Sequence, residues 1–185
     1  MRYMKIKRVI GLVVLLIIAG VAPASVPVAQ ANDNYCEQDL PAPLCDNIQA
    51  PPGNKVVFHV FAVGVQRYRW NGASWDFVEP VATLYADANH NVKVGSHYAG
   101  PTWESVLGGK VVATRLQSCS PDPTAIPWLL LQTVSASGPD IFGSVTYIQR
   151  VNTKGGLIPT ADGSTIGALA DAPYTAEYYF YRAKI

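Results

Sequence analysis

The sequence predicts an all-β protein: a single antiparallel domain, β-barrel or β-sandwich, carrying an irregular N-terminal arm. Three observations predict it. Stretches rich in β-branched and aromatic residues recur from Lys55 to the C-terminus, mostly about 8 to 15 residues apart. Between them stand glycine, proline, asparagine or aspartate, the residues that turns require. Helical periodicity is hard to place after residue 31: even WLLLQTV, Trp128 to Val134, is short and flanked by prolines, which favours a buried strand.

In chain order, the first 31 residues are set apart from the domain. Arg2, Lys5, Lys7 and Arg8 form a basic start, Val9 to Ala22 is apolar, and Ala29-Gln30-Ala31 is an A-x-A cleavage pattern. An apolar run of about 14 residues falls short of the roughly 20 that span a bilayer, so a secretory signal peptide cleaved after Ala31 is expected. The destination is then secreted or periplasmic, with no integral membrane segment after cleavage. Cleavage removes four of the 14 basic residues and none of the 13 acidic ones, leaving a net charge of −3. The remaining basic residues are scattered singly, which argues against nucleic acid as a partner.

Residues 32–54 hold Pro41, Pro43, Pro51 and Pro52 without apolar periodicity, and read as an arm. The chain has three cysteines, Cys36, Cys45 and Cys119. A local Cys36–Cys45 bridge across the arm is the first expectation, with Cys119 a free buried thiol; the alternative is that Cys119 bonds one of the other two and ties the arm to the body.

The β domain follows over 55–185. Val56 to Trp70 is one long or two shorter strands, with Gly64 the expected bulge or bend. Its second half alternates, Val65, Arg67 and Arg69 on one face and Gln66, Tyr68 and Trp70 on the other. Asn71-Gly72 predicts a two-residue hairpin turn that brings Trp70 and Trp75 together. Further strands are expected at 82–86, 92–96, 103–106, 110–116, 128–134, 144–152 and 174–182. Lys154 to Ala172 reads as a long loop with a short helical turn near Thr165 to Leu169.

Candidate chemistry gathers in GSHYAGPTWES, Gly95 to Ser105. Gly100-Pro101 makes a turn, and if it joins two strands, His97 and Glu104 lie near one end of the sheet. Together they are either an acid/base pair or a structural clamp. Tyr98, Trp103 and Trp128 supply rings for a core or for a ligand platform. In YTAEYYFYR, Tyr174, Tyr178 and Phe180 share one face and Glu177, Tyr179 and Tyr181 the other. Glu177 opposite Arg150 makes either a structural pair or a clamp for an anionic group. His59, His90 and His97 are dispersed and no zinc spacing occurs, so no metal site is expected. No G-x-G-x-x-G follows a strand, so neither a cofactor nor NAD-dependent dehydrogenase chemistry is expected.

The segments PPGNKVVFHVFAVGVQRYRWNG, VATLYAD, HYAGPTWES, IPWLLLQ, VTYIQRVNTKGG and PYTAEYYFYR together resemble DUF3455, a family of secreted bacterial and fungal proteins known as a domain of unknown function. The resemblance covers nearly all of the chain beyond the signal peptide. It implies a single secreted domain and supplies no catalytic residues. From the residues, the expected function is binding of a small molecule or glycan in an aromatic-lined pocket, with Tyr98, Trp103, Trp128, Arg150 and Glu177 as contacts. The rivals are a hydrolase or lyase using His97 and Glu104, and a structural or surface interaction protein.

Overall fold

The computed structural model describes residues 38–185. The expected signal peptide, and Cys36 with it, lie outside the described residues. Eight antiparallel strands form one closed barrel: β1 (Asn54–Trp70), β2 (Trp75–Tyr85), β3 (Lys93–Tyr98), β4 (Thr102–Ser105), β5 (Lys110–Cys119), β6 (Trp128–Ser137), β7 (Tyr147–Gly155) and β8 (Leu169–Ala183). Each strand pairs with its sequence neighbour, and β8 returns to β1 to close the ring. Of the two architectures the sequence allows, the barrel is the one formed. Its seam is made by the two longest strands, registered from Asn54↔Ala183 to Arg69↔Leu169.

The alternation read in β1 is obeyed: Gln66, Tyr68 and Trp70 are buried while Arg69 is exposed. Gly64 serves a different purpose from the expected bulge. The register passes through it unshifted, as Gly64↔Ala82, and the irregularity falls at Arg67/Tyr68. A Cβ on Gly64 would lie 2.1 Å from the Val81 carbonyl oxygen, so glycine permits a close approach of β1 and β2. The hairpin at Asn71 exists, but its loop has four residues rather than two. Asn71 Oδ1 accepts from the backbone N–H of Ala73 and Ser74, and Trp70 pairs with Trp75, ring centroids 5.4 Å apart. Between β7 and β8, residues 156–168 form turns and bends without helix.

Two cores result. Inside the barrel, Val60, Leu84, Trp103, Val111, Ile148, Tyr178 and Phe180 are packed together. Outside it, the arm covers β5 to β8, and Cys45, Ile48, Leu130, Val151 and Tyr181 form a second buried cluster. The arm is fixed by a Cys45–Cys119 disulfide, which corrects the expected Cys36–Cys45 bridge. The reason is three-dimensional: the 3-10 turn Asp46–Ile48 lies across β5, where Asn47 Nδ2 donates to Ser118 O and places Cys45 beside Cys119. Gln149 Nε2 donates to Ile48 O, and Tyr181 Oη donates to Gln149 Oε1, so polar groups buried under the arm are satisfied. The final strand is thereby buried on both faces. A disulfide closing 74 residues fits an oxidising compartment. Among the described residues no helix is long and apolar enough to cross a membrane.

Candidate functional site at the open end of the barrel

The interior of the barrel is not filled evenly. Around Phe58, Phe142 and Phe180 it is solid: the Phe142 ring lies 4.7 Å from Phe180 and 6.0 Å from Phe58, and Phe142 is delivered by the 3-10 turn Ile141–Ser144. Further along, near Gln66 and Tyr178, the walls stay apart and leave a cavity of about 330 Å³. An eight-stranded barrel has room for its own side chains or for one small ligand, and here each end takes one of those options.

The cavity wall has a divided chemistry. Phe77, Ile126, Leu129 and Leu131, with Pro80, Pro101 and Pro127, give it an apolar lining. Gln66, His97, Trp103, Arg115, Arg150 and Tyr178 add polar groups, two of them cationic, and no carboxylate lines it. Every strand reaches the wall, and on β7 and β8 the lining residues Arg150 and Tyr178 are partners in register.

His97 and Trp103 come from the β3–β4 hairpin. Gly100, at φ +77, makes the turn, and Thr102 Oγ1 donates to Ala99 O to close it. The resulting register is His97↔Trp103, so both rings point inward and stack 4.1 Å apart. His97 is buried, and its Nδ1–H donates to Thr102 O. Burial pushes its pKa down to about 3, and the Arg150 charge adds to that against the Thr102 bond. The imidazole is neutral at physiological pH.

Glu104 takes the opposite face. It pairs in register with Ser96 and Lys110, accepts from Tyr98 Oη, and lies 3.3 Å from Lys110 Nζ. The Tyr98 hydrogen bond, then Lys110, holds its carboxyl below the usual carboxylate range. His97 and Glu104 therefore do not form an acid/base pair, which corrects the first of the expected constellations. Adjacent positions across a hairpin whose partners are 97 and 103 fall on different faces.

The second correction concerns Arg150 and Glu177. Arg150 donates through Nε and Nη2 to the single carbonyl of Pro127, at 3.1 and 2.7 Å. Glu177 faces outward from β8, where His59 Nε2 lies 2.8 Å from Oε2 and Asn152 Nδ2 donates to Oε1 at 3.0 Å. The His59 contact, ahead of Asn152, draws the Glu177 carboxyl down. Trp128 sits opposite Cys119 in register and packs against the cluster under the arm instead of lining the cavity. Of the residues singled out from sequence, His97, Trp103 and Arg150 meet at the cavity, while Tyr98, Glu104, Trp128 and Glu177 lie elsewhere.

Gln66, Arg115, Leu131 and Tyr178 complete the wall, and three members carry a peculiarity. Gln66 Nε2, Trp103 Nε1 and Tyr178 Oη are buried polar atoms without a hydrogen-bond partner, as is Tyr174 Oη behind them. Gln66, Arg150 and the two tyrosines stand close enough to bear on the tyrosine hydroxyls, but Gln66 Nε2, Tyr174 Oη and Tyr178 Oη meet no partner in full hydrogen-bond geometry. Burial raises both tyrosine pKa values, so the hydroxyls stay protonated. Each such orphan costs about 1–3 kcal/mol. Nearby Tyr68 shows the contrast, since its hydroxyl donates to Gly156 O at 2.7 Å. Among the described residues no three His, Cys, Asp or Glu side chains cluster as metal ligands.

A family model described as protein of unknown function (DUF3455) matches residues 51–182. No curated protein and no solved structure matches the chain.

Proposed function

The chain belongs to the DUF3455 family, a description that assigns no activity, and from the site itself we propose that the protein binds a small organic molecule in the open end of its barrel. The observation that carries this is the cavity of about 330 Å³ whose apolar wall is interrupted by buried polar atoms lacking partners. Ligand sites combine an apolar enclosure with a few convergent polar groups in this way. A glycan is less well suited, because stacking on sugars needs exposed rings, and at the cavity Trp103 and Tyr178 are buried while Phe77 alone among the three is exposed. A hydrolase or lyase loses its acid/base pair, as His97 and Glu104 face apart. Secretion through residues 1–31 belongs to the same proposal; N-terminal sequencing of exported protein beginning at Asn32 supports it, and retention of Met1 in that material opposes it.

The experiment is a thermal-shift screen of wild type beside Leu129→Trp, which places a large ring in the cavity from its partly buried rim. Binding to the native state raises the melting temperature by mass action. The expected result is a compound that stabilises wild type and leaves Leu129→Trp unmoved. If no compound stabilises wild type and Leu129→Trp melts higher than wild type, the cavity is a packing gap and the proposal fails.

A further inference from the structure

The charge and donor inventory of the cavity narrows the class of ligand. Arg115 and Arg150 both line it, and no aspartate or glutamate does. Every ion pair among the described residues lies elsewhere: His59 with Glu177, Arg67 with Glu79 and Asp171, Lys110 with Glu104. A guanidinium stays charged under all ordinary conditions, and keeping one half-buried without a counter-charge is costly. The site is therefore built around an unmatched positive charge.

The geometry of Arg150 indicates how that charge can be met. Its Nε and Nη2 reach the same Pro127 oxygen, which uses the side edge of the guanidinium and fixes its plane. Three of the five N–H donors remain, among them the parallel pair at the end of the fork. That pair matches the two oxygens of a carboxylate. The neighbouring orphans agree in sign: the Gln66 amide nitrogen and the Trp103 indole nitrogen can only donate, and the Tyr178 hydroxyl can donate. No lining side chain is an obligate acceptor of charge, and His97, neutral with its Nδ1–H committed to Thr102 O, does not compete for the anion. The remainder of the wall is apolar at Phe77, Leu129 and Leu131 and offers nothing to a cationic end.

Resting on the pocket proposed above, we infer that the ligand is a small amphipathic organic acid, its carboxylate held by Arg150 and its apolar body lying against Leu129, Leu131 and Phe77. Arg115, exposed at the same cavity, draws the anion in.

The test is calorimetric titration of the full chain with two acids and their uncharged twins: 3-phenylpropionate against 3-phenylpropanamide, and octanoate against octanamide, with 2-phenylethylphosphonate as a dianionic head. At least one acid is expected to bind about tenfold or more tightly than its amide, the worth of one charge-assisted hydrogen bond. Arg150→Met is expected to bring that acid down to the level of the amide while leaving the amide unchanged. Should Arg150→Met not fold, Arg150→Lys, which keeps the charge without the planar fork, is expected to weaken the acid alone. Equal affinity of acid and amide overturns the carboxylate assignment and leaves the pocket standing. Tighter binding of the phosphonate than of both acids overturns it in favour of a phosphate-like head. Failure of all five probes also overturns it, and the Leu129→Trp comparison then decides separately whether the pocket survives.

Discussion

The two ends of the barrel interior are built by the same strands and the same alternation, yet one is solid and the other hollow. On β8, Phe180 packs face to face with Phe142, whereas Tyr178, two residues earlier, stands at a cavity with its hydroxyl unpaired. On β1, Phe58 meets Phe142 and Phe180, whereas Gln66 holds a buried amide nitrogen without a partner. Apolar rings at one end gain packing and aromatic contact energy. Polar groups at the other end forgo it. The contrast teaches that this barrel obtains its stability at the Phe142 end and keeps polar capacity in reserve at the other, the division expected of a fold that hosts a site rather than one that only packs.

The comparison is broken most severely at the solid end. Phe142, fully buried, contacts two other phenylalanines, and Phe142→Ala leaves a hole in a region with no slack. A loss of about 3–5 kcal/mol is expected in denaturant unfolding. A loss below about 1 kcal/mol would show that this end is no better packed than the other.

An intermediate effect is expected from His97. Its pKa is about 3 in the folded protein against roughly 6.5 when unfolded, so between those values the unfolded chain binds a proton that the native protein does not. Stability therefore falls as pH drops from about 6.5 towards 3, by at most about 1.4 kcal/mol per pH unit from this group. In His97→Gln, which can keep a donor towards Thr102 O, unfolding between pH 6 and 4 is expected to release this one-proton dependence. An unchanged slope would mean that His97 titrates normally and that the open end is wetter than its burial implies.

The smallest effect is expected at Tyr178. Its hydroxyl makes no hydrogen bond, so Tyr178→Phe removes a buried orphan at no packing cost. Stability is expected to stay level or rise by about 1 kcal/mol, and a clear loss would reveal a partner for the hydroxyl and weaken the contrast between the ends.

Much of this was legible in the sequence where the determinant is local. Turn residues and β-branched runs mark the strands, and the inward face of Gln66, Tyr68 and Trp70 follows from a period of two. What is not local escaped. Ring closure by β1 and β8 joins residues 100 or more positions apart, and nothing in either strand names its partner. Cys45 lies nearer to Cys36 in sequence, but Cys119 is nearer in the fold, where the arm crosses β5. Alternation tells which face Gln66 occupies, not at which depth the barrel is hollow, so Gln66 and Arg115 were missed as wall residues. For His97 and Glu104 a signal did exist: a turn centred on Gly100 pairs His97 with Trp103 and turns Glu104 outward.

The most direct measurement is the indole N–H signal of Trp103 in a nitrogen–proton correlation spectrum as the tightest of the tested carboxylates is added. Only four tryptophans are present, so the signals are separable by single substitutions. The account predicts that Trp103, whose N–H is unpaired at the cavity, shifts on titration while Trp128, packed under the arm, stays in place. Movement of Trp128 with Trp103 at rest, or no movement at saturating ligand, would contradict the claim that the open end of the barrel is the binding site.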